Sequence, residues 1–495
     1  MSSVHSQHST QYLPETRPST VEDKGHGEAE KNYQLKSPRF WAIIIGVYLS
    51  LFLVALDRMI IAPAIPSITD EFHSTEDIGW YGSAYMLTAA IFFPLCGRIY
   101  QLYSTKWVFL ASVLVFEVGS AVCAAAPSSD ALIVGRGIAG IGSAGIFCGS
   151  MNIIIPLVPL RKRPIFTSVF GIAFGVSSVL GPVVGGAFTD NGNLTWRWCF
   201  YMNLPLGGCT IAVVFLFLHL ESPPRDKLTI LDQFKRLDPL GLLLFVLAMV
   251  CLVLALQWDG TTYPWSAPKI IGLLVTFAGL FIAFLAVEAL TPKTAMVPTR
   301  VVLNRSVGGS VLFVFLLSGG MMAIIYYLTI WFQAAQGQSA IQAGIRSIPI
   351  VLCLAFIGIV AAIFVQKVEY YVPPLLISPV LCAVGAPARS RRSRQTRTVI
   401  YGIGISYGFQ TSNLVPQNML AHADVPLGMA LMFSMQQLGS SVFLPVGQNL
   451  FSSPASPSMV FPALRTSTLR LARPHSETRC RRVNLTPSSM LTITL

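Results

Sequence analysis

Four ionisable side chains interrupt stretches that are otherwise apolar. Asp57 and Arg58 lie in LVALDRMIIAPAIP, Glu117 in VFLASVLVFEVGSAVCA and Arg136 in IVGRGIAGIG. A charge at the centre of a membrane helix costs ~2.5–3.5 kcal/mol on insertion scales, so such residues are kept for partners or for function. A carboxyl group held there can bind and release a proton, the chemistry a proton-coupled carrier needs. Asp57 is the first candidate for that work and Glu117 the second. Adjacent residues point about 100° apart on a helix, so Asp57 and Arg58 should have separate partners. Arg136 could snorkel to the interface, but the glycines crowded around it point to a close, buried contact instead.

Uncharged residues form two further groups. In GIAFGVSSVLGPVVGGAF, Gly171, Gly175, Ser178, Pro182 and Gly185 recur on one helical face, with Gly181 and Gly186 beside them. Small residues on one face let two membrane helices approach closely, and a proline permits a local bend. The stripe therefore reads as a hinge or a tight contact between two halves. Tyr326, Tyr327, Gln333, Gln410, Asn413 and Gln417, with Gln436 and Gln437 further on, are hydrogen-bonding groups inside apolar runs. Such groups suit either a cavity for an amphiphilic organic compound or plain contacts between helices. No Walker A or HExxH pattern is present, so neither motif points to an enzyme. The nine cysteines form no CxxC and read as small packing residues, with no metal or other cofactor implied.

The elements that must position these residues are membrane helices. Of 495 residues, 53% are hydrophobic and only 11% charged, with a mean hydropathy of +0.63. A soluble domain carries roughly 25% charged residues, which excludes a water-soluble enzyme or nucleic-acid binder. The net charge of +12 does not restore the latter reading. Eleven arginines against one acid sit in two segments, 387–398 and 451–495, leaving 23 bases and 21 acids for the rest. Apolar runs predict spans near 41–66, 79–99, 107–126, 131–156, 164–189, 197–220, 238–257, 268–290, 307–334, 344–366, 373–387, 399–419 and 427–450. With the N-terminus in the cytosol, connections up to Tyr370 place thirteen lysines and arginines inside and three outside, which sets the orientation. The resulting plan has a polar cytosolic tail (1–39), a six-helix bundle (40–220), connectors around two inserted helices (221–306, with the helices in 238–290), a second bundle (307–450) and a basic tail (451–495).

Taken together these strings resemble the major facilitator superfamily, and within it the fourteen-span drug:proton antiporters of fungi. LDRMIIAPAIP (Leu56–Pro66) is similar to that family's first-span motif, GRGIAGIGSAG (Gly135–Gly145) to its fourth-span motif and GVSSVLGPVVGG (Gly175–Gly186) to its antiporter motif. WYGSAYMLT, WRWCFYMNLPLGG and YYLTIWFQ are family-like as well. The resemblance implies an all-α polytopic fold of two helical bundles plus a two-helix insertion, with about thirteen of fourteen spans present. It implies proton coupling through Asp57, Arg136 and Glu117, and a conformational role for Gly175, Gly181, Pro182, Gly185 and Gly186. It also implies export of drugs, toxins or secondary metabolites driven by the proton gradient, by a monomer in the plasma membrane or in a vacuolar or vesicular one. The partners would be a small-molecule substrate and the lipid bilayer. The loop Gly97–Trp107 departs from the pattern, with Tyr100 where the superfamily places an acid. A charge-based latch at that loop lacks its carboxylate.

A non-transporting sensor on the same fold would call for a large cytosolic signalling extension, and the 39-residue polar tail is a poor candidate. An inactive product of a damaged or wrongly spliced gene is a third reading. The eleventh span is short, the arginine-rich stretches 387–398 and 451–495 would both lie outside, and the tail holds no run able to cross a bilayer. Their Ser, Pro and Arg bias resembles translation in a wrong frame.

Overall fold

The computed structural model describes residues 37–74, 77–159, 162–190, 194–218, 236–258, 263, 266–291, 294–297, 299–336, 353–368, 372–385, 394–421 and 424–452. The tail 451–495 therefore lies outside the described residues from 453 onward. Among the described residues eight helices are long and apolar enough to cross a membrane.

The first block is α1 (Pro38–Phe72), α2 (Ile78–Leu102), α3 (Thr105–Ala124), α4 (Ser129–Leu157), α5 (Arg163–Asp190), α6 (Trp198–Tyr201) and α7 (Asn203–Phe217). α1 opens on a proline in its first turn, where no backbone donor is lost. Its 35 residues rise about 52 Å, so its last turns project beyond a hydrocarbon core of ~30 Å. The span read over 197–220 is present from Trp198 to Phe217, with one irregular residue, Met202, between α6 and α7. Pro205 accounts for the irregularity: its ring crowds the carbonyl four residues back, at Tyr201, and it donates no hydrogen bond. As a result α7 begins at Asn203, which faces the block's interior.

α8 (Pro239–Trp258) and α9 (Pro268–Leu290) pair with each other, Phe245 meeting Phe284 at 5.0 Å between ring centroids. The pair leans on α2 through Leu87, Ile91 and Leu95. The second block comprises α10 (Thr299–Val302), α11 (Arg305–Gln336), a π-helical turn Cys353–Ile357, α12 (Gly358–Val368), α13 (Val372–Gly385), α14 (Arg394–Met419) and α15 (Val425–Ser452). α13 has 14 residues and rises about 21 Å, short of a full crossing. α14 starts five residues before the predicted 399, inside the basic segment 387–398. There is no room for a Cβ on Gly385 against the Tyr401 backbone, and Thr398 is buried, so the end of that segment is built into the bundle.

The two blocks meet most closely at the face that carries Pro38. α15 lies along α2 as well as α11, and Phe433 sits between Phe93 and Phe147 at 5.7 and 5.3 Å. Ser434 donates to the Ala90 carbonyl at 2.8 Å, a bond from one block to the other.

Candidate functional site

Asp57 is completely buried, three-fifths of the way along α1. Its Oδ2 accepts a hydrogen bond from Arg136 Nη1 at 2.5 Å, and its Oδ1 accepts one from Asn203 Nδ2 at 3.2 Å. Arg136 is only 1% exposed, so it does not snorkel. Its Nε donates to the Tyr81 carbonyl at 3.0 Å, and the guanidinium lies 4.4 Å from the centroid of the Tyr85 ring. A buried ion pair persists only when its remaining donors and acceptors are met. Here a neutral amide, a backbone carbonyl and an aromatic face meet them.

Glu117 stands beside this pair, within electrostatic reach of Asp57. Ser120, one turn along α3, takes a hydrogen bond from the same Asn203 amide at 3.2 Å. Neither carboxyl oxygen of Glu117 has a hydrogen-bond partner among the described residues. The side chain fits because position 207 is glycine; a Cβ there would collide with the carboxyl group. The three residues named from the sequence are thus brought together, one held fast and one without a donor. Asn203 and Tyr85 complete the cluster, and the sequence reading had not singled them out. Asn203 lies inside a continuous apolar run, where a single polar residue is inconspicuous.

Arg58 points elsewhere, as its position on the helix requires. Its Nη1 donates to Gln437 Oε1 of α15 at 3.2 Å, joining the two blocks. The guanidinium also lies 5.2 Å from the Tyr85 centroid and 6.0 Å from that of Phe174. Tyr85 is thereby shared by Arg58 and Arg136.

In the small-residue stripe of α5, Gly181 and Gly185 pack on α1 of the same block, while α5 also meets the π-helical turn, α12 and α14 of the second block. A Cβ on Gly181 would come within 2.6 Å of Met59 Cβ, and one on Gly185 within 2.5 Å of the Ile60 carbonyl oxygen. Periodicity shows which face is small but not what it faces. Ser177, near Gly175, donates to the Phe52 carbonyl at 3.3 Å. Gly186 has open space around it and takes no part. Pro182 is helical, and its side chain lies outside the described ones. The stripe clamps the α1 segment that bears Asp57 and Arg58.

Of the polar residues read as a cavity, Gln410 donates to Thr167 Oγ1 of α5 at 3.0 Å. Gln417 donates to the Asn413 carbonyl at 3.0 Å and approaches Met429 of α15. The side-chain oxygens of Asn413 and Gln417 are buried with no hydrogen-bond partner among the described residues. Tyr326, Tyr327 and Gln333 lie in α11, and their side chains are outside the described ones.

Both ends of the first block are strapped. At the Pro38 face Tyr100, standing where an acid was looked for, donates to the Gly145 carbonyl at 2.9 Å. Asp424, between α14 and α15, pairs with Arg300 of its own block at 2.7 Å and takes a long bond from Gln101 of α2 at 3.5 Å. At the opposite end Glu71 accepts from Trp196 Nε1 at 2.6 Å and from Arg197 Nη2 at 2.8 Å. Arg197 also donates to the Ala124 and Ala126 carbonyls, so this strap ties α1 to the end of α3 beside the buried cluster. Partial burial pushes the Glu71 carboxyl up. The hydrogen bonds from Trp196 and Arg197, with the Arg197 charge, outweigh it and hold the group below its ordinary value. A depressed carboxyl stabilises the fold above its unfolded-state pKa and loses that contribution as pH falls through the folded one. In thermal unfolding of the purified protein, wild type should exceed Glu71→Gln at neutral pH. The gap should close below about pH 4; a gap independent of pH would mean the carboxylate charge is irrelevant to the strap.

Residues 47–444 match the family model described as Major Facilitator Superfamily. The MFS-type efflux pump MFS1 of Arthroderma benhamiae is 44% identical over 422 residues, covering 83% of this chain and 78% of that protein. The efflux pump aflT of Aspergillus parasiticus is 44% identical over 434 residues, covering 86% and 84%. Among solved structures, the proton:xylose symporter XylE bound to 6-bromo-6-deoxy-D-glucose superposes with a TM-score of 0.58. That match covers 84% of this chain and 90% of the other at 15% identity, a likeness of fold.

Proposed function

The chain belongs to the major facilitator superfamily as a multi-pass membrane transporter and not an enzyme, and from that premise we propose that it exports small amphiphilic organic compounds in exchange for protons. The observation that carries the exchange is Glu117, a buried carboxyl group without a donor beside a fully engaged Asp57–Arg136 pair. Asp57 is fixed by a charge and an amide, which leaves Glu117 as the group free to take and lose a proton. An ionised Glu117 would compete with Asp57 for the Arg136 guanidinium and loosen the grip of α4 on α1. Because α5 clamps the same stretch of α1 and Arg58 reaches α15, a change at the pair is felt where the blocks meet. That gives an element with two arrangements biased by a proton, which alternating access requires.

The basic residues of the connections favour a cytosolic N-terminus. The face carrying Pro38 is then the cytosolic one, and it is closed by α15 packed on α2. Glu117 lies seven residues, about 10 Å along the axis, from the outer end of α3. A proton entering from outside has a short way to travel. The protein works as a monomer in the plasma membrane, with the proton gradient as its driving force and no cofactor.

The test uses proteoliposomes with an imposed pH gradient and an aromatic panel of 2-naphthoate and 2-naphthamide. Glu117→Gln should abolish proton movement coupled to export while leaving gradient-independent exchange of the compound. Coupling that survives in the variant would remove Glu117 from the mechanism.

A further inference from the structure

The two guanidinium groups that share Tyr85 differ in one respect. Arg136 is neutralised by Asp57, whereas none of the ion pairs among the described residues includes Arg58. Arg58 makes one long hydrogen bond to the neutral amide oxygen of Gln437, at 3.2 Å, where charge-assisted bonds to anions run shorter. Its Nε is buried with no hydrogen-bond partner among the described residues. The rings of Tyr85 and Phe174 offset part of the charge but accept no directed bond from the planar fork. This half-buried cation sits between α1 of one block and α15 of the other, in the seam a transported compound must use.

We infer that Arg58, with Tyr85 and Phe174, is the recognition point for an acidic group, a carboxylate or phenolate, on the exported compound. The inference rests on the exporter reading above and names its substrate class. The acidic group would bridge Nη1 and Nη2, taking the place of Gln437 Oε1 on Nη1, and the aromatic body would lie against the two rings. Gln437 is the link that such a ligand displaces. Seating the anion therefore releases the bond between α1 and α15 and ties occupancy to separation of the blocks. With a proton on Glu117 and Asp57 paired to Arg136, the cluster carries one surplus positive charge, at Arg58, which a monoanion matches.

The experiment compares 2-naphthoate with 2-naphthamide, equal in shape and different in charge at about pH 7.5, for binding to the full chain in nanodiscs and for export by proteoliposomes. Wild type should bind the acid about tenfold or more tighter than the amide. Arg58→Gln should bring the two within about twofold by weakening the acid alone, while Arg58→Lys should keep part of the preference. Gln437→Glu keeps the guanidinium but gives it an internal counter-charge, and it should lose the preference too. Equal binding of acid and amide by wild type, or a preference that survives both Arg58→Gln and Gln437→Glu, would overturn the anion site. Gradient-driven export of the amide with no preference for the acid sinks the anion site and leaves the exporter standing. If the gradient moves neither compound, the exporter reading falls and the anion site with it.

Discussion

Arg136→Ala should cost about 3–5 kcal/mol of stability, enough to remove most of the folded protein. The variant strands the Asp57 carboxylate at a fully buried position with only the Asn203 amide for company. It also empties the volume above Tyr85 and frees the Tyr81 carbonyl from its donor. Arg136→Lys should behave differently. The charge stays, but one ammonium cannot serve Asp57 and the Tyr81 carbonyl while lying flat on an aromatic ring. Folding should be largely retained and transport should fall further than surface expression does. A third variant separates charge from volume: Asp57→Leu with Arg136→Met removes both charges and should recover most of the stability that Arg136→Ala loses, without recovering transport. Monodispersity and thermal unfolding in detergent read the first effect, and proteoliposome flux the second. Normal folding of Arg136→Ala would mean that Asp57 is not held in an apolar interior.

The sequence exposed Asp57 and Arg136 because a charge in an apolar run is conspicuous, but it did not pair the two with each other. It did not expose the rest of the cluster for equally physical reasons. Asn203 sits inside a stretch whose hydropathy is continuous from Trp198 to Phe217, where one polar residue is inconspicuous. Arg58 could be seen to need a partner other than Asp57, but its partner is 379 positions away in α15. No local pattern carries that. The α5 stripe was legible as a small face, but helical spacing orients a face without naming its neighbour, which for Gly181 and Gly185 is α1. Gln410 and Gln417 show the same limit: polar residues in an apolar helix suit a cavity and a helix contact alike, and in this structure they bond to Thr167 and to their own helix.

Gly142→Leu should prevent folding, whereas Gly137→Ala and Gly186→Ala should be tolerated, although all three are helical glycines in the same block. The difference is what each position meets. α3 and α4 run antiparallel in backbone contact for four successive turns. Ser112 lies against Gly145, Phe116 against Gly142, Gly119 against Ala139 and Cys123 against Gly135. A Cβ on Gly142 would fall on the Phe116 backbone nitrogen, and main chain cannot step aside as a flexible side chain can. A leucine there must part the helices, which exceeds ordinary overpacking of about 1–3 kcal/mol. It would also draw Glu117 and Ser120 of α3 away from Arg136 of α4, because this ladder fixes their mutual register. Gly137 sees only the Thr88 methyl, at 3.6 Å from where its Cβ would be, and Gly186 sees nothing within 4 Å. Alanine at those two sites should leave thermal stability unchanged or raise it by up to ~1 kcal/mol through helix propensity. Membrane yield and unfolding temperature of the three variants provide the measurement. A folded, active Gly142→Leu protein would show that α3 and α4 do not touch backbone to backbone, and that something other than this ladder holds Glu117 beside the Asp57–Arg136 pair.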